Sequence, residues 1–356
     1  MLPVVKITGG TVQTMLLYVS LIGLLLVIST IIRLKVPLLR KAFIPASLLA
    51  GIIGLFTPGL NRGIDFTGGR NYIVRFDQKV STEAVRAAME EGLKAQFPEE
   101  AFGLNVITIG NDNQVRISTN VGIQNQEEDL DPVIEGVIYE STKQFLANEV
   151  PADEFLSTQL NDEVGIMSSQ KVGPSIADDI KQAAVWAILF ALIIIALYIF
   201  LRFRNFSFSV GALVSLAHDT LIIMGIYALC WKFMPFSMEV DQSFIAAILT
   251  VIGYSINDTV VIFDRIREYR SLYPKRDRAE NINQALNATL SRTFSTSMST
   301  FVVLFAIFCF GGASIRGFVF ALLLGVIIGT YSSLFIASPI AYEIQEAVAK
   351  RKEQKA

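Results

Sequence analysis

The chain has 356 residues, of which 52% are hydrophobic and only 17% charged. Soluble proteins carry about 25% charge, so this composition excludes an ordinary soluble enzyme and points to a membrane protein. A net charge of −2 gives no footprint for nucleic acid, and one histidine with two cysteines excludes a Cys/His zinc site. Cys230 and Cys309 both lie in apolar runs and read as buried, inert thiols. No metal or cofactor is expected, and no nucleophile-base pair or phosphate loop suggests covalent chemistry.

The N-terminus has no basic stretch followed by a small-residue cleavage site, so no removable signal peptide is read there. Residues 12–32 and 42–60 are apolar runs separated by Arg33, Lys35, Arg40 and Lys41, four cations that place their loop in the cytoplasm. The second run is weak as a span, with Pro45 in its first turn and Pro58-Gly59 at its end. Residues 61–176 are polar and read as a folded domain outside the membrane. Alternation gives a strand at 71–77, and a helix over 82–97 starts behind Ser81 or Thr82 as N-cap. Strands at 104–109 and 113–118 flank the turn sequence Gly110-Asn111-Asp112-Asn113, and a helix at 127–148 and a strand at 163–171 follow. This β-α-β-β-α-β order predicts a ferredoxin-like α+β unit.

At the domain's entry stands Gly63-Ile64-Asp65-Phe66-Thr67-Gly68-Gly69, in which Gly68 and Gly69 permit positive φ where the chain leaves the membrane. A plain turn and a functional hinge fit those glycines equally, and Asp65 stays hydrated at the interface. An amphipathic lead-in at 176–181 precedes spans at 183–201, 206–230, 243–264, 294–313 and 317–341. Arg202 and Arg204, the run Arg265, Arg267, Arg270, Lys275, Arg276 and Arg278, and the terminal Lys350, Arg351, Lys352 and Lys355 all fall on one side. Lys232, Glu239 and Asp241 fall on the other, which gives a multi-pass protein with a cytoplasmic C-terminus.

The 243–264 run carries Asp258 within it. A carboxylate at mid-helix costs roughly 2.5–3.5 kcal/mol on insertion scales, so its retention suggests ion or proton passage. Tyr254, Ser255, Asn257 and Thr259 surround it with groups that can bond a charged or a neutral carboxyl. The plainer reading is a polar contact between helices.

Residues 252–268, Ile-Gly-Tyr-Ser-Ile-Asn-Asp-Thr-Val-Val-Ile-Phe-Asp-Arg-Ile-Arg-Glu, closely resemble the fourth transmembrane helix of the SecF family, subunits of the bacterial SecDF protein-export motor. The resemblance implies that Asp258 is the proton-coupling aspartate, that 63–69 is the family's entry motif and that 61–176 is a periplasmic domain. It implies six family helices forming half of an RND-like bundle, in the bacterial inner membrane. A SecD-type subunit would complete that bundle, with the SecYEG channel, YajC, unfolded preproteins and the lipid bilayer as further partners. Proton flow would move the periplasmic domain and draw preprotein outward.

The N-terminus departs from the family, which opens with one helix running straight into the entry motif. Residues 1–41 add an extra helix and loop, and 35–47 resemble the start of a sodium/glutamate symporter; a natural fusion, a gene-model artefact and an engineered junction all fit residues 1–55. The division is then an extra segment at 1–41, a first family helix at 42–60, the periplasmic domain at 61–176, a five-helix bundle at 177–342 and a basic tail at 343–356.

Further polar groups lie inside the bundle. His218 and Asp219 sit near mid-depth, where packing is favoured over proton carriage. Thr293, Thr296, Ser297 and Thr300 form an i, i+3, i+4, i+7 stripe suited to a water path or to close packing, within a stretch resembling the family's Arg-Thr-x-x-Thr-Ser pattern. Gly325, Gly329, Ser332 and Ser333 form a small-residue scaffold face. Asp264 is spaced to pair with Arg267, and Arg265 with Glu268, as topology anchors. Two rivals remain: an RND-type exporter of small molecules or lipids, which needs a larger external domain with an apolar cleft, and a structural assembly subunit in which Asp258 serves packing. A carboxylate among oxygens can also hold sodium in place of a proton.

Overall fold

The computed structural model describes residues 51–53, 55, 59–109, 113–123, 129–157, 164–232, 234 and 236–354. The extra segment at 1–41, the symporter-like stretch at 35–47, most of the span at 42–60 and most of the turn at 110–113 lie outside the described residues.

A single helical turn, α1 (Ile64–Thr67), runs into β1 (Gly69–Arg75), followed by α2 (Thr82–Gln96), β2 (Leu104–Thr108) and β3 (Gln114–Thr119). Then come α3 (Asp131–Thr142), a 3-10 turn at Lys143–Phe145, α4 (Ala152–Leu156) and β4 (Gly165–Val172). The strands form one antiparallel sheet in the order β2-β3-β1-β4. Strand alternation sends Tyr72, Val74, Val106, Val115, Ile117 and Ile166 to one face, where they meet Val85, Met89 and Leu93 of α2 and Ile134 and Ile138 of α3. Val85, Met89 and Leu93 recur every fourth residue, so α2 buries one stripe and leaves its charges in water. Each such side chain contributes roughly 1.5–3 kcal/mol when fully buried, which gives this domain its own core.

Several boundaries in this domain differ from the sequence expectation. Strand β1 starts at Gly69 rather than 71 because Gly69 already pairs with Val172. A Cβ on Gly69 would stand 2.7 Å from the Thr119 carbonyl oxygen, at φ +148, so this glycine belongs to the sheet and is no free turn at the membrane exit. Helix α3 is shorter than 127–148: Pro132 sets its first turn, and the chain tightens at Lys143–Phe145 before Leu146 turns extended.

Beyond the sheet run α5 (Pro174–Phe203), α6 (Phe206–Cys230), α7 (Gln242–Leu272), α8 (Arg278–Phe310), α9 (Ala313–Ser332), a π-helical turn at Ser333–Ala337 and α10 (Ser338–Glu353). Among the described residues five stretches are long and apolar enough to cross a membrane, the last running unbroken through α9 and α10. The chain is thus a polytopic helical membrane protein with a small antiparallel sheet domain. Side-chain caps start three of the helices: Asn205 accepts from Ser207 N at 3.0 Å, Asp241 from Phe244 N at 2.9 Å and Asp277 from Ala279 N at 3.0 Å. Helix α5 absorbs the amphipathic lead-in, and α8 begins at Arg278 rather than 294. Hydropathy marks only the lipid-immersed part of a helix, whereas α7 and α8 continue until Tyr273 and the Asp277 cap. The basic loop therefore shrinks to 273–277, with Arg265, Arg267 and Arg270 on the last turns of α7.

Helix α7 is central and packs against α5, α6, α8 and α9. On the sheet side its Phe244, Ile248, Val251 and Ile252 join Leu216, Ile223 and Tyr227 of α6. Toward its far end Ile262, Phe263 and Ile266 join Ile199, Phe203 and Phe208. Helices α5 and α8 are mostly unburied and present apolar rows such as Leu189, Ile193, Leu197 and Phe294, Met298, Val302 to the surroundings. Both cysteines are free; Cys230 is half-buried, whereas Cys309 is exposed on α8 and is not the buried thiol expected.

Candidate functional site

Between the two apolar clusters the bundle is crossed by a belt of polar side chains centred on α7. Asp258 is 7% exposed and faces α8, where Ser297 Oγ donates to its Oδ2 at 3.4 Å. Ser297 Oγ in turn accepts from Thr330 Oγ1 of α9 at 2.6 Å. A hydroxyl donor normally approaches to about 2.7–2.8 Å, so the Asp258 contact is long and weak.

Asp219 of α6 is the opposite case. It is fully buried, and its Oδ2 accepts from Ser255 Oγ of α7 at 2.7 Å and from Ser332 Oγ of α9 at 2.8 Å, while His218 Nδ1 lies 3.2 Å from Oδ1. One intramembrane carboxylate is locked across three helices and the other is loosely held. Among the described residues Asp258 accepts a side-chain hydrogen bond from Ser297 alone, which leaves lone pairs uncommitted.

The supporting residues divide in a way that their spacing did not reveal. Ser255 serves Asp219, and Thr259 shares a 2.9 Å hydrogen bond with Ser333, so neither bonds Asp258. Asn257 is exposed on the face of α7 turned away from the belt. Tyr254 reaches Thr300 at 3.3 Å. On α8 the expected stripe splits: Thr293 and Ser297 are buried, while Thr296 is exposed and bonds the Arg292 and Thr293 carbonyls of its own helix. Rotation by about 100° per residue lets i, i+3, i+4 positions share a side without sharing a neighbour. Ser215 Oγ, His218 Nε2 and Thr293 Oγ1 are buried without a hydrogen-bond partner among the described residues.

The π-turn was not foreseen and helps to build this belt. Consecutive helical residues normally diverge, yet Ser332 and Ser333 are both fully buried, the first on Asp219 and the second on Thr259 and the Ser255 carbonyl. The signal available was Pro339, which has no N–H for the fourth residue back and clashes with its carbonyl; a wider turn relieves this. Ser338 Oγ donates back to the Ser333 carbonyl at 3.3 Å. The scaffold face at Gly325 and Gly329 is as expected: a Cβ at Gly325 would stand 2.0 Å from Val251 Cγ2, and one at Gly329 3.0 Å from Ser255 Cβ.

At the far end of α7 the spacing-based pairs are both present, Arg267 with Asp264 at 3.3 Å and Arg265 with Glu268 at 2.7 Å, and Arg202 of α5 joins Asp264 at 3.0 Å. A cleft of about 260 Å³ opens there between α7 and α8, lined by Asp264, Arg265, Glu268, Thr289 and Arg292. At the sheet-side end the entry motif meets α7 directly: Asp65 Oδ2 accepts from Gln242 N at 3.1 Å, and Gly63 N donates to the Val240 carbonyl at 2.9 Å. Beside them Glu239, read from sequence only as a loop charge, accepts from Asn105 Nδ2 of β2 and, at 2.7 Å, from Arg116 of β3. No group of His, Cys, Asp and Glu side chains among the described residues is arranged to hold a metal ion.

Comparison with known proteins matches residues 154–347 to the family described as protein export membrane protein SecD/SecF, C-terminal, and residues 53–80 to the SecD/SecF GG motif. The protein translocase subunit SecF of Rhodothermus marinus is 38% identical over 315 residues, covering 88% of this chain and 93% of the relative. That of Haemophilus influenzae is 36% identical, covering 88% of each. The crystal structure of SecDF from Thermus thermophilus, described as a translocon-associated membrane protein, superposes with a TM-score of 0.65 at 30% identity over 85% of this chain and 37% of that one. The present chain thus spans little more than a third of that SecDF. The family-model matches begin at residue 53, whereas the Rhodothermus marinus relative, covering 88% of this chain, reaches further toward the N-terminus.

Proposed function

The chain belongs to the SecF family, and from that premise we propose that it is a Sec-associated protein translocase subunit that uses the proton motive force to assist preprotein export. Asp258 is the coupling residue. The observation that carries this is its burial in a central apolar helix with one long contact, to Ser297, among the described residues, while Asp219 is held by the Ser255 and Ser332 hydroxyls. Loading Asp258 with a proton and emptying it changes the charge between α7 and α8, which biases how the two helices pack. One charge crossing 100 mV supplies about 2.3 kcal/mol, comparable with the few kcal/mol separating two packed states.

In this reading the sheet domain, residues 61–176, is periplasmic and ferredoxin-like, an assignment supported by the β2-β3-β1-β4 strand order. The bundle is the RND-like half formed by a first family helix at 42–60 and the helices at 177–342, preceded by the extra segment 1–41 and followed by the basic tail 343–356. It sits in the bacterial inner membrane with the C-terminus in the cytoplasm, in agreement with the clustered Arg and Lys at the far ends of the helices. A SecD-type subunit supplies the other half, and SecYEG, YajC and the unfolded preprotein are the working partners. The chain acts by moving a substrate and needs no catalytic residue of its own.

The test is Asp258→Asn in membranes carrying the whole export complex. Export driven by the proton gradient is lost while the complex assembles normally. Unchanged export would leave Asp258 as a packing residue in a structural subunit. Export by the parent that follows a sodium gradient and ignores the proton gradient would reassign the ion, and retained protein export with loss of small-molecule or lipid efflux in the variant would favour an RND-type exporter.

A further inference from the structure

We infer that residues 239–242 are a clamp through which the sheet domain steers the Asp258 helix, with Glu239 and Asp65 as its positioning residues. The function of the clamp rests on the reading above; its existence rests on geometry alone.

Four consecutive residues ahead of and inside the first turn of α7 are each tied down. Glu239 bridges β2 and β3 through Asn105 and Arg116. Its side chain is 10% exposed and that of Arg116 19%, so the pair is far less screened than a surface ion pair. Val240 forms a parallel bridge with Arg62, donating to the Asn61 carbonyl at 2.8 Å and accepting from Gly63 N at 2.9 Å. Asp241 caps the helix, and the Gln242 amide donates to Asp65 at 3.1 Å. Two carboxylates therefore sit on a helix N-terminus, where unpaired N–H groups and the helix dipole favour negative charge.

A second route from sheet to bundle is covalent, through β4 into α5. That helix lies at the rim and is mostly unburied, whereas α7 touches α5, α6, α8 and α9. From Gln242 to Asp258 α7 runs without a break, a lever of about 24 Å at 1.5 Å per residue. On the sheet side the clamp is equally stiff. Asp65 lies in a turn pinned to β1 by Gly69, whose missing Cβ lets that strand lie against Thr119. A shift of the sheet thus reaches Asp258 as a tilt of the helix that carries it, and a change at Asp258 reaches the sheet by the same path.

The experiment uses the full chain with its SecD-type partner in lipid, with Cys230 and Cys309 replaced by Ala and spin labels at Gln170 of β4 and Thr250 of α7. The parent gives a narrow interlabel distance distribution. Glu239→Ala and Asp65→Ala broaden it and abolish gradient-driven export at normal complex levels, and the charge swap Glu239→Arg with Arg116→Glu restores both. A role in stability alone would lower the amount of complex without broadening the distribution, and would overturn the proposal, as would a distribution that stays narrow. If single variants fail to accumulate, the charge swap decides: recovery of the narrow distribution supports the clamp and failure refutes it. Asp258→Asn runs in the same membranes. Intact export there sinks the functional reading, while the distance distribution still judges the clamp.

Discussion

Asp131→Asn is a direct test of how the sheet domain is held together. Arg70 of β1 is 1% exposed, and its Nε meets Asp131 Oδ1 at 2.5 Å while a terminal nitrogen donates to the Val121 carbonyl at 2.8 Å. Lys171 of β4 reaches the other carboxylate oxygen at 3.2 Å. A hydrogen bond to a charged group contributes roughly 1.5–3 kcal/mol, and leaving a buried charge uncompensated raises the cost toward about 3–5 kcal/mol. Asp131 is itself 31% exposed and the asparagine keeps one carbonyl acceptor, so we expect a loss of about 2–4 kcal/mol. At about 1.4 kcal/mol per decade this is roughly a 30- to 700-fold rise in local opening. Hydrogen exchange of the β1 and β3 amides in lipid nanodiscs reads it directly, with the α7 amides around Ile262 unchanged as internal reference. The pH dependence has a fixed sign. Burial pushes the Asp131 carboxyl up, but the hydrogen bonds and charges of Arg70 and Lys171 together outweigh it and hold the group below its ordinary value. The parent's advantage is then complete above the unfolded value of about 3.9 and disappears as pH falls through the lower folded value. Equal exchange of parent and variant at neutral pH would refute the reasoning. Arg70→Met with Asp131→Leu regains part of the protection, because it strands no buried charge but removes the donor to the Val121 carbonyl.

Three further outcomes follow from close contacts. Gly325→Leu places a side chain where Val251 stands 2.0 Å from the Cβ position, forcing α7 from α9 at a cost of about 1–3 kcal/mol or more; detergent size-exclusion shows loss of monodisperse protein, partly recovered by Val251→Ala. Asp219→Ala orphans the buried Ser255 hydroxyl, leaves that of Ser332 the Gly329 carbonyl at 3.2 Å, and loses about 1–3 kcal/mol in SDS-unfolding titrations, whereas Asp219→Asn, which still accepts, loses less. Gly69→Ala drives a methyl into the Thr119 carbonyl and speeds amide exchange across β1 and β3, while Gly173→Ala, with nothing within 4 Å, leaves exchange unchanged.

What was legible in the sequence was what depends on local chemistry. Asp258 stands out because it is a charge in an apolar run, and the Asp264-Arg267 and Arg265-Glu268 pairs because their spacing settles them. What escaped depends on neighbours brought in from a distance. Ser255 lies one turn from Asp258 but belongs to Asp219, 36 positions away, because α6 approaches that side of α7. Glu239 looks like any loop carboxylate until the sheet brings Asn105, 134 positions earlier, against it. Adjacency alone groups Asn257 with Asp258, and adjacency on a helix means a turn of about 100°. The ends of α7 and α8 were missed for another reason: hydropathy senses lipid, while helices persist into water wherever caps and charge pairs support them.

The widened turn at Ser333–Ala337 makes one continuous rod behave as two rods out of phase. Upstream of it Gly325 and Gly329 lie against α7; at its end Ala337, and one turn further on Ala341, lie against Gly211 of α6. An unbroken α-helical wheel drawn from 313 to 353 would put these surfaces at false angles. By slipping its own azimuth midway, the last membrane segment serves two neighbours in succession, so an insertion or deletion within those five positions would strip one of them of its counterpart while leaving composition and hydropathy almost untouched.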